Sequence, residues 1–229
     1  MSSNAGSEAD TKAAVNEPEA AGFVLAGGRS SRMGRDKALV ELDGQPLIVH
    51  ALGILRSAGL AASIAGGQVS LAGFAPLVPD RQTDLGPLSG ICCALASTSA
   101  RWAVFLSVDA PFIPSSLLTC LLRHAQITER AVTLSSVNGF PQTFPAVVDR
   151  AARPWLEREL GSGRGGCFAA FQSAAAALHQ PVSVLAAEPM LQCGQIAHPQ
   201  ALPAARWFMN LNTAEELRRA EVQRWTLPV

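Results

Sequence analysis

The chain carries little charge. Asp, Glu, Lys and Arg make up only 16% of its 229 residues, and the formal net charge at pH 7 is zero. A protein without net charge has no global field that recruits nucleic acid or a membrane surface, so any cluster of cations must act locally. Because 48% of the residues are hydrophobic, a chain of this length can bury a substantial core.

Paired metal-ligand motifs are lacking as well. The five cysteines contain no C-x-x-C pair and the four histidines are scattered, so a zinc site is not expected. Scattered thiols of this kind are typical of a protein from a reducing compartment. We therefore expect a cytoplasmic protein with buried, reduced cysteines, namely Cys92, Cys93, Cys120, Cys167 and Cys193.

Long apolar runs are also missing. Residues 1–20 are small and polar, without the apolar segment of a signal peptide. No later stretch reaches the ~20 apolar residues of a membrane helix. We expect residues 1–20 to form a disordered tail and residues 21–229 to form a single domain.

From Gly22 onward, short apolar runs alternate with helical stripes of leucine and alanine. The runs predict strands over residues 22–27, 61–66, 75–79, 101–109, 131–137, 143–148, 181–187 and 207–212. The stripes predict helices from Pro46 to about residue 57, over 87–98, after Pro114, near 150–160 and 166–178, and from a capping box of Thr213 and Glu216. This alternation predicts an α/β sandwich with a mostly parallel central sheet.

A loop rich in glycine and cations follows the first predicted strand, with the sequence LAGGRSSRMGRDK over residues 25–37. Gly27 and Gly28 lack Cβ, so the backbone can turn sharply and direct its amides at a ligand. Arg29, Arg32 and Lys37 add positive charge suited to phosphates. The spacing matches neither a Walker A loop nor a dinucleotide fingerprint, and a surface turn with solvated arginines is the alternative.

Two carboxylates are expected at the same edge of the sheet, because ligands gather at the carboxyl ends of parallel strands. Asp109 ends the run WAVFLSVD, and Asp80 ends the run PLVPD. Asp109 is either a turn or capping residue, or a Mg²⁺ ligand beside bound phosphates. The segment Gly86-Pro87-Leu88-Ser89-Gly90 presents backbone next to Asp80.

Four segments together, LAGGRSSRMGRDK, PD…GPLSG, VDAPFIP and NLNTAEEL, resemble the molybdenum cofactor guanylyltransferases of the wider nucleotidyltransferase group. The resemblance covers roughly residues 22–220 and is densest in the first half. It implies a Rossmann-like three-layer sandwich of the nucleotidyltransferase type. It also implies transfer of GMP from GTP, with Mg²⁺, to molybdenum–molybdopterin, which yields the guanine dinucleotide cofactor and pyrophosphate.

Carried over by position, the resemblance also assigns residues. It implies that Asp109 binds Mg²⁺ and the nucleotide, that Lys37 contacts a phosphate, and that Asn210 and Asn212 help to hold the pterin. The remaining nucleotide contacts would come from Leu25, Ala26, Gly27, Gly28 and Asp80.

Two features depart from the family pattern. The second strand ends in Ala65, where the family often has an asparagine, so the resemblance does not supply that nucleotide contact. The segment GSGRGG over residues 161–166 is unusually rich in glycine. Its Arg164 would contact the pterin phosphate, unless the segment is a mobile surface loop.

The implied chemistry needs no catalytic base. The terminal phosphate of molybdopterin is ionised at neutral pH and attacks the α-phosphorus of GTP, so catalysis rests on alignment and charge neutralisation. Lys37, Arg32 and Asp109 are the predicted catalytic residues, and the glycine loop would cradle the leaving pyrophosphate. The predicted partners are the substrates GTP and molybdenum–molybdopterin, together with other cofactor-biosynthesis proteins or a target molybdoenzyme. Neither nucleic acid nor a membrane is expected as a partner.

Other functions stay open at the level of sequence. A cytidylyltransferase acting on the same pterin and a sugar-phosphate nucleotidyltransferase share the loop. GPLSG resembles the guanylyl branch of the family, where small residues leave room for a purine. A non-catalytic protein that delivers cofactor is a further alternative, against which the presence of both Lys37 and Asp109 speaks.

Overall fold

The computed structural model describes residues 18–27, 36–80, 86–163, 166–211 and 215–218. The helices are α1 (Leu47–Ser57), α2 (Pro87–Ser97), α3 (Ser115–Thr128), α4 (Arg153–Ser162), α5 (Cys167–Ala177), α6 (Ala187–Gln192) and α7 (Ala204–Trp207). The strands are β1 (Ala20–Leu25), β2 (Glu41–Leu42), β3 (Gln45–Pro46), β4 (Ala61–Ala65), β5 (Leu77–Val78), β6 (Trp102–Ser107), β7 (Val132–Val137), β8 (Phe140–Asp149) and β9 (Ser183–Ala186).

A seven-stranded sheet forms the centre of the fold, in the order β5-β4-β1-β6-β8-β7-β9, and β2 and β3 form a separate hairpin. Strand β1 pairs in parallel with β4 and β6, β4 with β5, and β7 with β9. Strand β8 runs antiparallel to both of its neighbours. The prediction of a mostly parallel α/β sheet is therefore confirmed.

The reversal at β8 follows from a two-residue turn. Asn138 and Gly139 connect β7 to β8, and both have positive φ, at 51° and 78°. Two central residues with positive φ define the type I′ turn, whose twist matches that of a β-hairpin, and Asn-Gly is its preferred sequence. The local sequence thus requires an antiparallel pair here.

Alternation along the buried strands creates two cores, one on each face of the sheet. In β6, Trp102 and Val104 pack with α1 and α3, whereas Ala103 and Phe105 pack with α2 and α5. Successive side chains of a strand point to opposite faces, so a strand buried on both faces is apolar throughout. The result is a sandwich of helices, sheet and helices, as predicted.

The strand predicted over 207–212 is wrong. Trp207 is the last residue of α7, and no residue from 208 to 211 is in a strand. Its side chain is fully buried and its indole nitrogen donates to the Leu202 carbonyl at 2.7 Å. The apolar residues here are buried because they belong to the core cluster that also holds Leu117 and Leu121 of α3, and they form no strand ladder.

Other predictions are corrected or fall outside the described residues. Cys193, which follows α6, is exposed and Cys120 is only partly buried, so the expectation of burial is wrong for Cys193 and only partly met by Cys120, although all five thiols are free. Residues 215–218 are helical, whereas Thr213 of the capping box is not described. Among the residues that the structure does describe, no helix combines the length and apolar character needed to cross a bilayer.

The first strand begins within the predicted N-terminal tail of residues 1–20. Strand β1 begins at Ala20, and the amide of Trp102 donates to the Glu19 carbonyl at 3.1 Å. The rest of that prediction concerns mainly residues 1–17, which lie outside the described part of the chain.

Candidate functional site

The C-terminal ends of β1, β4, β5 and β6 meet at one edge of the sheet, here called the carboxyl edge. Backbone hydrogen bonds continue between the strands beyond their last residues. The amide of Ala26 donates to the Ala65 carbonyl at 3.1 Å, and the amide of Val108 donates to the Leu25 carbonyl at 3.2 Å. Leu25 and Ala26, both predicted nucleotide contacts, are thereby fixed between the ends of β4 and β6.

Glycines let the backbone pack closely around Asp80 at this edge. A Cβ atom on Gly27 would lie 3.3 Å from Oδ2 of Asp80, and one on Gly66 would lie 3.0 Å from the same oxygen. Gly66 also has a φ of +73°, which side-chain-bearing residues rarely adopt. The Asp80 carboxylate therefore lies close to Gly27, at the edge of the sheet where it was expected.

The Asp80 carboxylate destabilises the folded protein when it is charged. Burial raises its pKa, and a hydrogen bond with the Ser89 side chain partly offsets that shift. Its Oδ1 is buried and has no hydrogen-bond partner in the part of the chain that the structure describes. A buried acceptor without a donor costs free energy, and this is typical of groups kept for binding.

We expect Asp80→Asn to stabilise the protein at neutral pH. A raised carboxyl pKa means that the favourable protonated form is present at low pH and is lost as the pH rises through that pKa. The melting temperature of the variant should therefore exceed that of the parent at pH 7, and the difference should vanish in acid. Nucleotide affinity should fall at the same time. Melting curves at several pH values, together with nucleotide titrations, measure both effects, and a variant less stable at pH 7 would contradict this interpretation.

A second carboxylate, Asp109, lies two residues beyond the end of β6 and has two side-chain partners. Its Oδ2 is 2.7 Å from Nζ of Lys37, with the two side chains 17% and 21% exposed. Its Oδ1 accepts a hydrogen bond from the Ser107 hydroxyl at 2.5 Å. The structure thus brings together the two predicted catalytic residues, which are 72 positions apart in the chain.

The position of Lys37 is set by a short 3-10 turn over Lys37–Leu39. Asp36 precedes this turn, and its Oδ1 accepts from the amide of Ala38 at 3.0 Å. Aspartate is a favoured N-cap because its side chain satisfies an amide that has no partner within the turn. The cap therefore fixes the backbone from which the lysine side chain extends toward Asp109.

The segment that ends at Leu211 returns to the same edge. The amide of Leu211 donates to the carbonyl of Asp109 at 2.9 Å, and Leu211 itself is buried. Asn210, a predicted pterin contact, is exposed beside this hydrogen bond. The segment ending at Leu211 thus forms one wall of the carboxyl edge.

Several predicted site residues are not among those described, namely Gly28, Arg32, Arg164 and Asn212. Sequence reasoning missed two others that the structure brings into the site, Ser107 and Gly66. For Ser107 the signal was a hydroxyl two positions before the candidate metal ligand Asp109, at the end of a buried strand. For Gly66 the signal was a Gly-Gly pair directly after a buried strand.

Within the described residues, no group of three or more His, Cys, Asp or Glu side chains could hold a metal ion. Magnesium does not require such a group, because it is commonly held by one or two carboxylates together with substrate phosphates. Asp109 is an oxygen donor of this type at the carboxyl edge. The residues present therefore fit Mg²⁺ bound jointly by protein and nucleotide.

Comparison with known proteins finds relatives that share one name. A protein of Pseudomonas putida named molybdenum cofactor guanylyltransferase is 36% identical over 146 residues, which cover 62% of this chain and 76% of that protein. A protein of the same name from Rhizobium leguminosarum bv. trifolii is 29% identical over 226 residues, covering 94% and 97% of the two chains.

Solved structures share the fold. Molybdopterin-guanine dinucleotide biosynthesis protein A from Archaeoglobus fulgidus superposes with a TM-score of 0.68 at 21% identity, over 88% of this chain and 97% of that one. A 2-C-methyl-D-erythritol 4-phosphate cytidylyltransferase from Thermus thermophilus gives 0.60 at 16% identity, over 90% and 99%. The family model of the MobA-like NTP transferase domain matches residues 22–187, and the chain therefore belongs to that family.

Proposed function

We propose that this protein transfers GMP from GTP to molybdenum–molybdopterin, releasing pyrophosphate and forming the guanine dinucleotide cofactor. The observation that carries the proposal is the ion pair of Lys37 with Asp109 at the carboxyl edge, the edge at which Gly27 packs against Asp80. The names of the Pseudomonas and Rhizobium relatives give the same activity. A protein that only stores cofactor has no need of a cation and a carboxylate aligned in this way.

The reaction joins a phosphate oxygen of the pterin to the α-phosphorus of GTP and breaks the bond to the β-phosphate. The attacking oxygen is already ionised, so no base is required, and the catalytic task is to hold two anions together. The ammonium group of Lys37 offsets negative charge that builds up on the leaving pyrophosphate. We assign the same role to Arg32 and to the amides of the loop that starts at Gly27.

Asp109 is the residue that would hold Mg²⁺. Bound there, the ion would neutralise phosphate charge and orient the triphosphate. Ser107 donates to one oxygen of the carboxylate and so keeps the side chain directed along the edge.

The pterin would bind on the side of the edge formed by the segment that ends at Leu211. Asn210 is exposed there, and the hydrogen bond from Leu211 holds it next to Asp109. An amide side chain offers both a donor and an acceptor, which suits the alternating polar edge of a pterin ring. We assign Asn212 and Arg164 to the same substrate, with Arg164 on its phosphate.

Base choice tests the function directly. We assign the base to the segment Gly86-Pro87-Leu88-Ser89-Gly90, where Gly86 turns the chain with a φ of +72° and α2 begins at Pro87. Its small side chains give a purine access to backbone carbonyls that accept from guanine N1–H and the exocyclic amine.

We expect GTP to be used at least ~10²-fold more efficiently than CTP or ATP, because a site built to hydrogen-bond one base leaves buried groups unpaired with another. The measurement is kcat/KM for each nucleotide with loaded molybdopterin. A matched reaction with mannose 1-phosphate as acceptor separates this activity from that of sugar-phosphate nucleotidyltransferases. Efficient turnover with CTP and little with GTP would assign the protein to the cytidylyl reaction.

A further inference from the structure

Asp109 is engaged at both of its oxygens by residues of the protein. Lys37 is 2.7 Å from Oδ2, and the Ser107 hydroxyl is 2.5 Å from Oδ1. The proposed function gives Lys37 to the phosphates and Asp109 to a divalent cation. A divalent cation at Oδ2 competes with Nζ of Lys37, because two positive charges would otherwise meet at one oxygen.

We propose that Asp109 exchanges one cation for another as substrate binds, with Ser107 as the positioning residue that stays in place. The divalent cation replaces the ammonium of Lys37 at Oδ2, and Lys37 moves to the nucleotide phosphates. The inference rests on the proposed function in that it takes Asp109 as the metal ligand.

The two partners of Asp109 differ in their freedom to move. Ser107 is the last residue of β6, an interior strand of the sheet, and the strand pairing holds it opposite Leu25 of β1. Lys37 extends from a three-residue turn through a flexible four-carbon side chain. Rotation about these side-chain bonds can carry the ammonium away while the backbone stays in place. The serine hydrogen bond is therefore the fixed contact and the lysine ion pair is the exchangeable one.

The exchange couples metal binding to nucleotide binding. A divalent cation that arrives alone must displace Lys37 and leave the ammonium without this carboxylate. A nucleotide that arrives with the cation offers phosphates to the displaced lysine. Each ligand therefore binds more tightly in the presence of the other, and by linkage the enhancement is reciprocal.

The test measures Mn²⁺ binding to the whole protein without nucleotide, from the electron paramagnetic resonance signal of free Mn²⁺. We expect Lys37→Ala to tighten Mn²⁺ binding by about 5- to 10-fold, the scale of one partly buried ion pair. Lys37→Gln, which keeps the length of the side chain, should show the same effect. If both variants bind Mn²⁺ no better than the parent, the exchange is overturned.

A matched control removes a positive charge elsewhere. Arg153 forms an ion pair with Glu157 within α4, which packs on the face of the sheet opposite to α1 and α3. Arg153→Ala changes the net charge as Lys37→Ala does, and it should leave Mn²⁺ affinity unchanged. An equal tightening in Arg153→Ala would show that overall charge, and no exchange at Asp109, causes the effect.

The role of Ser107 is tested in the same assay. Ser107→Ala should weaken Mn²⁺ binding by about tenfold, because groups that orient a metal ligand contribute on this scale, whereas Ser107→Thr keeps the hydroxyl and should bind as the parent does. Asp109→Asn should remove the binding in every background, and its retention would overturn the proposal. The assay contains neither GTP nor pterin, so a failed exchange and a failed guanylyl-transfer assay are separate results.

Discussion

Asp109→Asn is expected to lower the kcat of guanylyl transfer by about 10²-fold or more and to leave the melting temperature close to that of the parent. Asparagine keeps the shape of the side chain and can still accept from the Ser107 hydroxyl, but it removes the charge that pairs with Lys37. Loss of one electrostatic stabiliser of a transition state has consequences on this scale. Steady-state transfer across a Mg²⁺ titration, beside a melting curve, provides both measurements.

A control and a double variant sharpen this prediction. Glu157→Gln neutralises a carboxylate on α4 that pairs only with a neighbour in the same helix among the described residues, and it should keep parental turnover. Lys37→Ala acts on the same step as Asp109→Asn, so the effects of the two changes should not simply add. Normal turnover of Asp109→Asn at limiting Mg²⁺ would place the metal elsewhere and refute the proposed role of Asp109.

Trp207→Ala is expected to lower the free energy of unfolding by about 3–5 kcal/mol, the range for truncating a buried aromatic side chain. Trp207 has no solvent exposure, and its indole stacks on the ring of His198 with centroids 6.2 Å apart. The substitution also leaves the Leu202 carbonyl without its donor. Denaturant unfolding followed by circular dichroism measures the change.

Two variants separate the contributions at this position. Trp207→Phe keeps most of the apolar area and loses the hydrogen bond, so its cost should be clearly smaller than that of alanine. Phe140→Ala removes an aromatic side chain that is 71% exposed and should change stability little. A cost below about 1 kcal/mol for Trp207→Ala would mean that the segment from α7 to Leu211 contributes little to the fold.

Much of the fold could be predicted because strands buried on both faces are apolar throughout and helices carry an apolar stripe. The direction of β8 could not be read from its own residues, since an apolar run looks alike in either direction. The information lay in the turn, where Asn138-Gly139 is a strong hairpin signal. The apolar run at 207–212 was wrongly predicted to be a strand, because tertiary contacts rather than strand pairing bury Trp207.

The site was predictable to the level of its components. Asp109 could be placed at the carboxyl edge because it ends a buried strand, and Lys37 because the glycine loop starts at the same edge. The direct ion pair between them was not predictable, since it depends on the 3-10 turn that Asp36 caps. Ser107 was not predicted as a site residue, because a serine at a strand end is usually only a solvated turn residue.

The hydrogen bond from Leu211 to Asp109 also affects the order in which the site forms during synthesis on the ribosome. Strands β1, β4, β5 and β6 emerge early and can pair with one another before the remainder of the chain exists. Asp109 gains its last backbone partner only after Leu211 has been made, on the order of 5 to 20 s later at ordinary rates of translation. The growing chain thus acquires its nucleotide-facing strands first and completes the wall of the site during the final stage of its synthesis.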